Sequence, residues 1–228
     1  MIRSNKFNLS FNEIHIWQAH TSHLDIDYEN YLSPAELLRA NNLFCQRSRI
    51  NFVAHRCIIK KIIAKYIALP PEKINFSYNA HGKPYLKNHN FHFNLAHSGE
   101  YMLFAITINT EIGIDVEQYT NELNYLDIAK NIFSTNEYQI LLNCNDDARQ
   151  LEFYRYWTRK ESIIKAVGSG LNSYANQIDT IYSLVQLKGL WYLTEICQQD
   201  GYIATLASRY KYPKVQLFHW AINYDHVK

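Results

Sequence analysis

The chain has 228 residues, of which 47% are hydrophobic, and its formal net charge is +2 at pH 7. This length and hydrophobic content fit one large globular domain or two small ones with a buried core. The small net charge excludes any argument from bulk electrostatics for binding to nucleic acid or to a membrane surface.

The cysteines and the N-terminus predict the compartment. The four cysteines contain no C-x-x-C pair, so neither a zinc site nor a disulfide framework is indicated; they are Cys45, Cys57, Cys144 and Cys197. Buried thiols in a reducing cytosol are therefore expected. The first ten residues lack the apolar segment of a signal peptide, and no run approaches the ~18 apolar residues of a spanning helix. We expect a cytoplasmic protein.

The first third of the chain predicts a strand followed by two helices. Residues 14–17 have the apolar character of a strand. Ser33-Pro34-Ala35-Glu36 has the pattern of a capping box with proline at the first helical position, so a helix should begin there. Apolar residues at helical spacing predict a second helix from about Arg47 to Ile67, which Pro70 and Pro71 terminate.

The second helix carries a basic stripe. Arg49 and Arg56 are seven residues apart, which is nearly two helical turns, and Lys60 continues the same face. The ordinary interpretation is a solvated basic face. A role in anion binding needs support from elsewhere in the chain.

The middle of the chain predicts strands joined by turns. Residues 74–78 alternate as a strand, residues 80–84 form a turn, and strands follow at residues 91–98, 102–108 and 112–117. His97 and Ser98 lie at the end of the strand predicted at residues 91–98, directly before Gly99. A histidine there has two interpretations, a hydrogen-bonded structural residue or part of an anion-binding corner.

The last third predicts three helices and then more strands. Residues 126–133 are helical in pattern, Ser134 and Glu137 repeat the capping box before a short helix, and a long helix runs from about Ala148 to Val167 and ends at Gly168. The final strand-like runs are 180–187, 191–196, 202–207 and 215–222.

These elements predict an α+β fold rather than a doubly wound sheet. The order of strand, helix and strands occurs twice, which indicates two similar lobes related by a pseudo-twofold axis. We expect the lobes at residues 1–110 and 111–228, with the last ~20 residues able to pack back on the first lobe. Each lobe should be a small antiparallel sheet packed with a long helix, with the active site at the lobe junction.

Two carboxylates mark the first strand of the second lobe. Asp115 and Glu117 are two residues apart, so on a strand they project from the same face with α-carbons ~6.6–7 Å apart. Such carboxylates repel each other unless a cation lies between them. Gly113 allows a neighbouring backbone or a ligand to approach closely. The alternative is an ordinary solvated sheet face.

A third carboxylate lies on the long helix. Glu161 and Lys165 are four residues apart on one face, with Trp157 one turn earlier, and Lys160 lies about 100° around the helix. The alternative is a surface salt bridge. A set of three carboxylates with oxygen ligands only suits Mg²⁺ bridging to substrate phosphates, which makes Asp115, Glu117 and Glu161 the candidate metal ligands.

Together these stretches resemble the 4′-phosphopantetheinyl transferases, specifically the larger two-lobed type that activates surfactin synthetase. Five segments carry the resemblance in the family's order: Gly82-Lys83-Pro84, Phe93 to Ser98, Ile112 to Glu117, Ile128 to Ser134, and Trp157 to Lys165. The last of these reads W-T-R-K-E-S-I-I-K and is similar to the family's W-x-x-K-E-[AS]-x-x-K. The resemblance covers about residues 33–171.

The resemblance implies coenzyme A as the donor, with Mg²⁺ held on its diphosphate by Asp115, Glu117 and Glu161. Three residues are implied as contacts to phosphate oxygens: His97, Lys160 and Lys165. Four are implied at the nucleotide: Lys83 and Pro84 beside it, and Arg49 and Arg56 at its 3′-phosphate end. The chain departs from the family at Ala96, where serine is usual, so a contact there must come from backbone. It also departs at Asn51, where many members have arginine.

The implied reaction moves the 4′-phosphopantetheine arm of coenzyme A to a serine of an acyl or peptidyl carrier protein and releases adenosine 3′,5′-bisphosphate. Glu161 is the candidate base, Lys165 would offset leaving-group charge, and Asp115 completes the catalytic set. The carrier is expected to dock near the lobe junction on residues 126–142. The alternatives are a metal-dependent phosphoesterase or nuclease and a non-catalytic coenzyme A-binding protein. A monomer with no nucleic-acid or membrane partner is expected.

Overall fold

The structure is a computed structural model that describes residues 7–21, 26–119, 125–170, 175–196 and 199–220. Within these ranges the chain forms two four-stranded sheets and a short two-stranded ribbon. Cys197 and the end of the strand predicted at residues 215–222 lie outside the described residues.

The helices and strands are bounded as follows. The helices are α1 (Pro34–Asn41), α2 (Gln46–Ala64), α3 (Tyr125–Ile132), α4 (Thr135–Asn143) and α5 (Asp146–Val167). The strands are β1 (Glu13–His20), β2 (Ser77–Tyr78), β3 (Pro84–Tyr85), β4 (Phe91–Ser98), β5 (Tyr101–Ile108), β6 (Ile112–Gln118), β7 (Leu184–Gln186), β8 (Leu190–Glu195), β9 (Tyr202–Ser208) and β10 (Lys214–His219). Short 3-10 turns occupy Ile26–Tyr31, Pro71–Lys73 and Ala175–Gln177.

Local sequence signals set the helix ends. The capping boxes predicted at Ser33 and Ser134 are both present: each serine side chain accepts from the backbone of the glutamate three residues on, and that glutamate accepts from the serine backbone N–H. Helix α5 ends as predicted at Gly168, whose φ of 69° lies in the left-handed region that glycine adopts without a Cβ penalty.

The first sheet has the strand order β10-β1-β5-β4 and is covered by α2. Its inner strands pair antiparallel, with Trp17 opposite Phe104. Strand β10 pairs with β1 in parallel, so the end of the chain completes the first sheet. The predicted antiparallel pairing is therefore found between β1, β5 and β4, and β10 adds a parallel strand at the edge, because it returns from the second half in the same direction as β1.

The second sheet has the antiparallel order β6-β9-β8-β7 and is covered by α5. The contact between α5 and β6 depends on Gly113: a Cβ built there would lie 1.9 Å from the backbone oxygen of Ser162 and 2.5 Å from the nitrogen of Ala166. The close backbone approach expected at this glycine is therefore made by the helix.

The two sheets pack through one apolar core. It contains Ile14, Leu103 and Ala105 from the first sheet and Ile114 and Leu206 from the second, all buried. The edge strands β4 and β6 lie side by side, and the backbone N–H of Ile114 donates to the side-chain oxygen of Asn94 at 2.8 Å. The layers therefore run α2, first sheet, second sheet, α5.

Three local predictions differ from the structure. The strand predicted at residues 74–78 shrinks to the two residues of β2, and the one at 180–187 shrinks to β7. The thiols were predicted to be buried, and Cys57 is buried as expected. Cys45, which caps the N-terminus of α2, is instead exposed. No helix among the described residues has both the length and the apolar character needed to cross a membrane.

Candidate active site

The three predicted carboxylates lie between the second sheet and helix α5. Alternation along β6 directs Ile114 and Val116 into the core between the sheets and leaves Asp115 and Glu117 on the side of α5. Glu161 is on the facing side of α5, half-buried. The helix approaches this closely because position 113 has no side chain, so Gly113 brings the acids of two elements together.

Asp115 is the most deeply placed of the three, with 2% of its surface exposed. One carboxylate oxygen, Oδ1, accepts from Lys165 Nζ at 2.5 Å. The other, Oδ2, is buried and has no hydrogen-bond partner among the described residues. The pKa of Asp115 is raised to about 7, mainly by burial and to a smaller extent by the charges of Glu117 and Glu161, against the opposing effect of Lys165. An unsatisfied buried oxygen is uncommon in a folded protein and indicates a missing ligand.

Glu117 is held by two donors. Ser98 Oγ donates to Oε2 at 2.9 Å, and Trp157 Nε1 donates to Oε1 at 3.3 Å. The end of β4 and the middle of α5 are thus both tied to the same carboxylate of β6. The sequence placed Trp157 on the face of Glu161; the structure adds its bond to Glu117.

Glu161 is not paired as the helical spacing suggested. Lys165 bonds to Asp115, and no ion pair within 4.0 Å joins Lys165 to Glu161 in the described part of the chain. Burial raises the pKa of Glu161, Lys165 opposes this effect, and Glu117 adds to it. The predicted alternative of a surface salt bridge at this position is therefore wrong.

The acids are close enough to influence each other's protonation, but they do not form a closed metal cage. Among the residues that the structure describes, no three His, Cys, Asp or Glu side chains come together closely enough to hold a metal ion. At Asp115 Oδ1 the amine of Lys165 occupies the position that a metal ion would take. A metal would have to displace this amine and draw in Glu161.

A pair of histidines lies on the other side of Lys165. His97, exposed at the end of β4, packs against His55 of α2 with ring centroids 4.3 Å apart and the ring planes tilted by 32°. The pKa of His97 is lowered by partial desolvation of its ring and then by the charge of Lys165. The pKa of His55 is lowered to about 3, mainly by burial and to a smaller extent by the charges of His97 and Arg56.

These rings form part of a cleft of about 340 Å³ between α2 and β4, which we call the α2–β4 cleft. Its polar lining combines cations, amides and imidazoles. The lining residues are Arg39, Leu43, Ser48, Asn51, Phe52, His55, Arg56, Ile59, Leu95 and His97. This composition suits an anion with a flat, partly apolar body.

The two predicted arginines have different positions. Arg56 lines the α2–β4 cleft, lies over the rings of Phe52 and Phe76, and approaches Glu36 Oε1 at 3.4 Å. Arg49 is paired with Glu29 at 2.6 Å and does not line that cleft. The basic stripe predicted on α2 is therefore divided, and only Arg56 of the two faces the cleft.

Lys83 and Pro84 line a second cleft, of about 300 Å³. The Lys83 amine donates to the backbone oxygens of Ile112 at 3.2 Å and Ala166 at 2.8 Å, so it ties the ribbon to both β6 and the end of α5. Burial lowers the pKa of Lys83 to about 8. The predicted nucleotide contacts are thus distributed over two clefts.

Lys160 is remote from the acids. It is 1% exposed, pairs with Glu137 Oε2 at 2.7 Å, and donates to the backbone oxygens of Ala175 and Ile178. The prediction that Lys160 contacts phosphate oxygens is corrected here, because its place on the helix directs it into the second lobe. The side chain of Ala96 is buried between the sheets, which leaves only its backbone for a ligand.

Sequence reasoning missed His55 and the role of Asn94. His55 precedes Arg56 directly, but a lone histidine beside a stripe of arginines and lysines forms no pattern that indicates a site. Asn94 joins the two sheets through the backbone of Ile114, a residue distant in sequence, so no local pattern indicates its role.

Known proteins resemble both halves of the chain. A profile described as "4′-phosphopantetheinyl transferase superfamily" matches residues 111–208, and one described as "4′-phosphopantetheinyl transferase, N-terminal" matches residues 15–109. The 4′-phosphopantetheinyl transferase HetI of Nostoc sp. is 31% identical over 207 residues, covering 86% of this chain and 87% of HetI.

Two further relatives match over shorter spans. The 4′-phosphopantetheinyl transferase of Bacillus subtilis is 37% identical over 134 residues, covering 56% of this chain and 58% of that protein. The human L-aminoadipate-semialdehyde dehydrogenase-phosphopantetheinyl transferase is 31% identical over 152 residues, covering 61% of this chain and 49% of that protein. The match therefore spans about half the length of this last relative.

Proposed function

The chain belongs to the 4′-phosphopantetheinyl transferase superfamily, and we propose that it transfers the 4′-phosphopantetheine arm of coenzyme A to a serine hydroxyl of an acyl or peptidyl carrier protein. The second product is adenosine 3′,5′-bisphosphate. The protein acts as a monomer in the cytoplasm, with no nucleic-acid or membrane partner.

The observation that carries the proposal is that Asp115 binds Lys165 and is influenced by Glu117 and Glu161, while His97 is influenced by the same lysine, between β4, β6 and α5. Cations and acids placed together suit a reaction that handles a diphosphate and a proton. Phosphoryl transfer needs positioning and charge neutralisation more than covalent catalysis. The arrangement therefore supports transfer of a phosphate-linked group.

Mg²⁺ fits the donor set at this point. The donors are carboxylate oxygens only, which is the preference of Mg²⁺, and Asp115 Oδ2 is a buried oxygen without a partner. Asp115, Glu117 and Glu161 would hold the ion. When bound, Mg²⁺ supplies charge neutralisation and polarisation at the diphosphate.

The side chains have distinct tasks in the proposed reaction. The serine oxygen forms a bond to the phosphorus that carries the pantetheine arm, and the bond from this phosphorus to the oxygen of adenosine 3′,5′-bisphosphate breaks. Glu161 accepts the serine proton, and burial favours this by raising its pKa. Lys165, released from Asp115, offsets charge on the departing phosphate. His97 donates a hydrogen bond to a phosphate oxygen.

The nucleotide occupies the α2–β4 cleft in this proposal. Two observations support the choice: the cleft contains His97, which lies within the electrostatic influence of Lys165, and it contains Arg56. Lys83 acts from the other side of the β2–β3 ribbon and holds that ribbon against α5. In this proposal Pro84 contacts the nucleotide as part of the same ribbon.

The carrier protein docks near the lobe junction, on residues 126–142. On this surface Ile140 and Leu142 are 38% and 42% exposed. Tyr119, which follows β6 and precedes this segment in the chain, is 40% exposed. Exposed apolar side chains suit a transient protein partner. Which carrier it modifies is a property of that surface.

Mass spectrometry of an apo carrier protein, incubated with this protein, coenzyme A and Mg²⁺, tests the proposal. We expect a mass gain of one phosphopantetheine arm that disappears when the carrier serine is replaced by alanine. Release of nucleotide or phosphate without a carrier would instead indicate a phosphoesterase. Binding of coenzyme A with no gain on any of several carriers would indicate a non-catalytic binding protein.

A further inference from the structure

We propose that Ser98 is a positioning residue whose hydroxyl holds the carboxylate of Glu117 in place for binding Mg²⁺. The inference rests on the proposed function, because it takes Mg²⁺ as the ion that the three acids hold. It adds to these acids a residue of the first lobe, so that the affinity of the second lobe for the ion depends on a contact across the lobe junction.

The first support is the direction of the hydrogen bonds at Ser98. The backbone N–H of Gln118 donates to Ser98 Oγ at 3.0 Å, and this oxygen lies 2.9 Å from Glu117 Oε2. A hydroxyl has one proton to donate and two lone pairs that accept. Because the N–H of Gln118 occupies an accepting lone pair, it directs the proton of Ser98 to the carboxylate.

The second support is the donor on the other side of the same carboxylate. Trp157 Nε1 lies 3.3 Å from Glu117 Oε1, and an indole nitrogen can only donate. Each carboxylate oxygen of Glu117 therefore accepts one hydrogen bond, from β4 at one oxygen and from α5 at the other. The carboxylate cannot rotate without breaking one of these bonds, yet each oxygen keeps a further lone pair for a cation.

The third support is the register between β4 and β6. These strands belong to different sheets, but two side chains of β4 accept from the backbone of β6. Asn94 Oδ1 accepts from the N–H of Ile114 at 2.8 Å, and Ser98 Oγ accepts from that of Gln118. Both bonds join residues 20 positions apart in the chain, so one parallel register satisfies both. The stretch of β6 that contains Glu117 is thus held at both ends.

The two contacts of β4 have different consequences. Asn94 bonds to the backbone of β6, whereas Ser98 bonds to both the backbone and the carboxylate of Glu117. Without the Ser98 hydroxyl, the Asn94 contact still joins the strands, but one oxygen of Glu117 loses its donor. Hydrogen-bond partners orient the ligands of a metal, and their loss typically costs about 10–100-fold in metal affinity or activity. The effect should therefore appear in the affinity for Mg²⁺.

Calorimetric titration of Mg²⁺ into the protein saturated with coenzyme A tests the inference. Ser98→Ala should weaken Mg²⁺ binding on the order of tenfold, whereas Ser98→Thr, which keeps the hydroxyl, should stay within about twofold of the wild type. In the carrier assay, the Mg²⁺ concentration for half the maximal rate should rise by the same factor as the dissociation constant. The rate at saturating Mg²⁺ should fall less than about threefold, because the change acts on binding of the ion.

Ser208→Ala is the matched control. Ser208 pairs with Ile112 at the other end of β6, and its hydroxyl donates to the backbone oxygen of Tyr210. The change removes the same group from the same sheet, so the affinity for Mg²⁺ should remain that of the wild type. Trp157→Phe keeps a ring but removes the second donor to Glu117, so it should weaken Mg²⁺ binding as Ser98→Ala does.

Unchanged Mg²⁺ affinity in Ser98→Ala would overturn the inference. An equal loss in Ser98→Thr or in Ser208→Ala would also overturn it, because the bond from the Ser98 hydroxyl would then not be the cause. If Ser98→Ala does not fold, Trp157→Phe decides, and wild-type affinity in that variant rejects the positioning of Glu117. Wild-type protein that transfers no pantetheine arm to any carrier would overturn the proposed function itself.

Discussion

Helices α2 and α5 are each anchored by a buried lysine, but the residues that directly follow the two lysines carry opposite charges. Each contains a fully buried lysine, Lys60 at 0% and Lys160 at 1% exposure, whose amine pairs with the glutamate of a capping box. The Lys60–Glu36 distance is 2.6 Å and the Lys160–Glu137 distance is 2.7 Å. Each amine also donates to backbone oxygen. The same device therefore fastens the long helix of each lobe to the start of the helix before it.

The lobes differ at the next position. Lys61 follows the first anchor, and its amine lies over the rings of Tyr28 and Tyr31 at 4.8 and 4.5 Å. Glu161 follows the second anchor and faces the acids of β6. The two helices thus share the buried lysine anchor, but the charge next to it is positive in α2 and negative in α5.

The first strands of the two lobes differ in the same way. β6 presents Asp115 to α5, whereas β1 presents His15, whose Nδ1 is 2.8 Å from the hydroxyl of Tyr66. Trp17 donates to the same hydroxyl. The space that is a polar site in the second lobe is filled by aromatic rings in the first. Stability belongs to both lobes, and the proposed chemistry is concentrated in one of them.

The largest expected effect comes from the position after the anchor. Glu161→Gln should lower transfer of the pantetheine arm roughly 10³-fold, because it removes both the candidate base and a metal ligand. Carrier mass spectrometry over time measures the rate. Lys61→Gln, the corresponding change in the first lobe, should keep the wild-type rate, and full activity in Glu161→Gln would reject its catalytic role.

Breaking the anchors should cost stability in both lobes. Glu137→Gln leaves Lys160 as a buried charge without its counter-ion, so the free energy of unfolding should fall by about 3–5 kcal/mol. Glu36→Gln should cost at least as much, because Arg56 shares Glu36 with Lys60.

Urea denaturation followed by circular dichroism measures both changes. Asp146→Asn, which removes an exposed partner of Arg149, should leave the transition midpoint within error. If the two glutamate variants are as stable as this control, the anchors are not what holds the helices.

The smallest effect is expected at the helix–strand contact that has no counterpart in β1. Gly113→Ala places a methyl group against the backbone of α5, so the helix must shift, at a cost of about 1–3 kcal/mol. Thermal unfolding measures this cost. Gly201→Ala provides the comparison: its added Cβ meets nothing within 4 Å, although its φ of 82° brings backbone strain. A smaller loss at position 113 than at 201 would contradict the packing argument.

Local signals predicted a large part of the fold. Both capping boxes, the C-terminal end of α5 and the alternation along β6 follow from interactions within a few residues, so the sequence contains them directly. The strands at residues 74–78 and 180–187 were predicted too long, because alternation there is not accompanied by a partner strand over the full length.

The direction of long basic side chains could not be predicted. Lys160 and Lys165 are five residues apart on one helix, yet one is buried against Glu137 and the other reaches Asp115. Lys83 turns to backbone oxygens of two elements. A lysine bonds to whatever acceptor the packed structure brings near, and these acceptors are distant in sequence.

The sequence by itself determined the α+β class, the carboxylate set and the family, because each depends on residue types at fixed short spacings. Only the tertiary structure decided that β10 completes the first sheet, that Lys160 is a structural anchor, and that the ring of His55 packs against that of His97. These facts depend on which surfaces meet when the two sheets pack, and contacts between residues far apart in the chain exist only once that packing has formed.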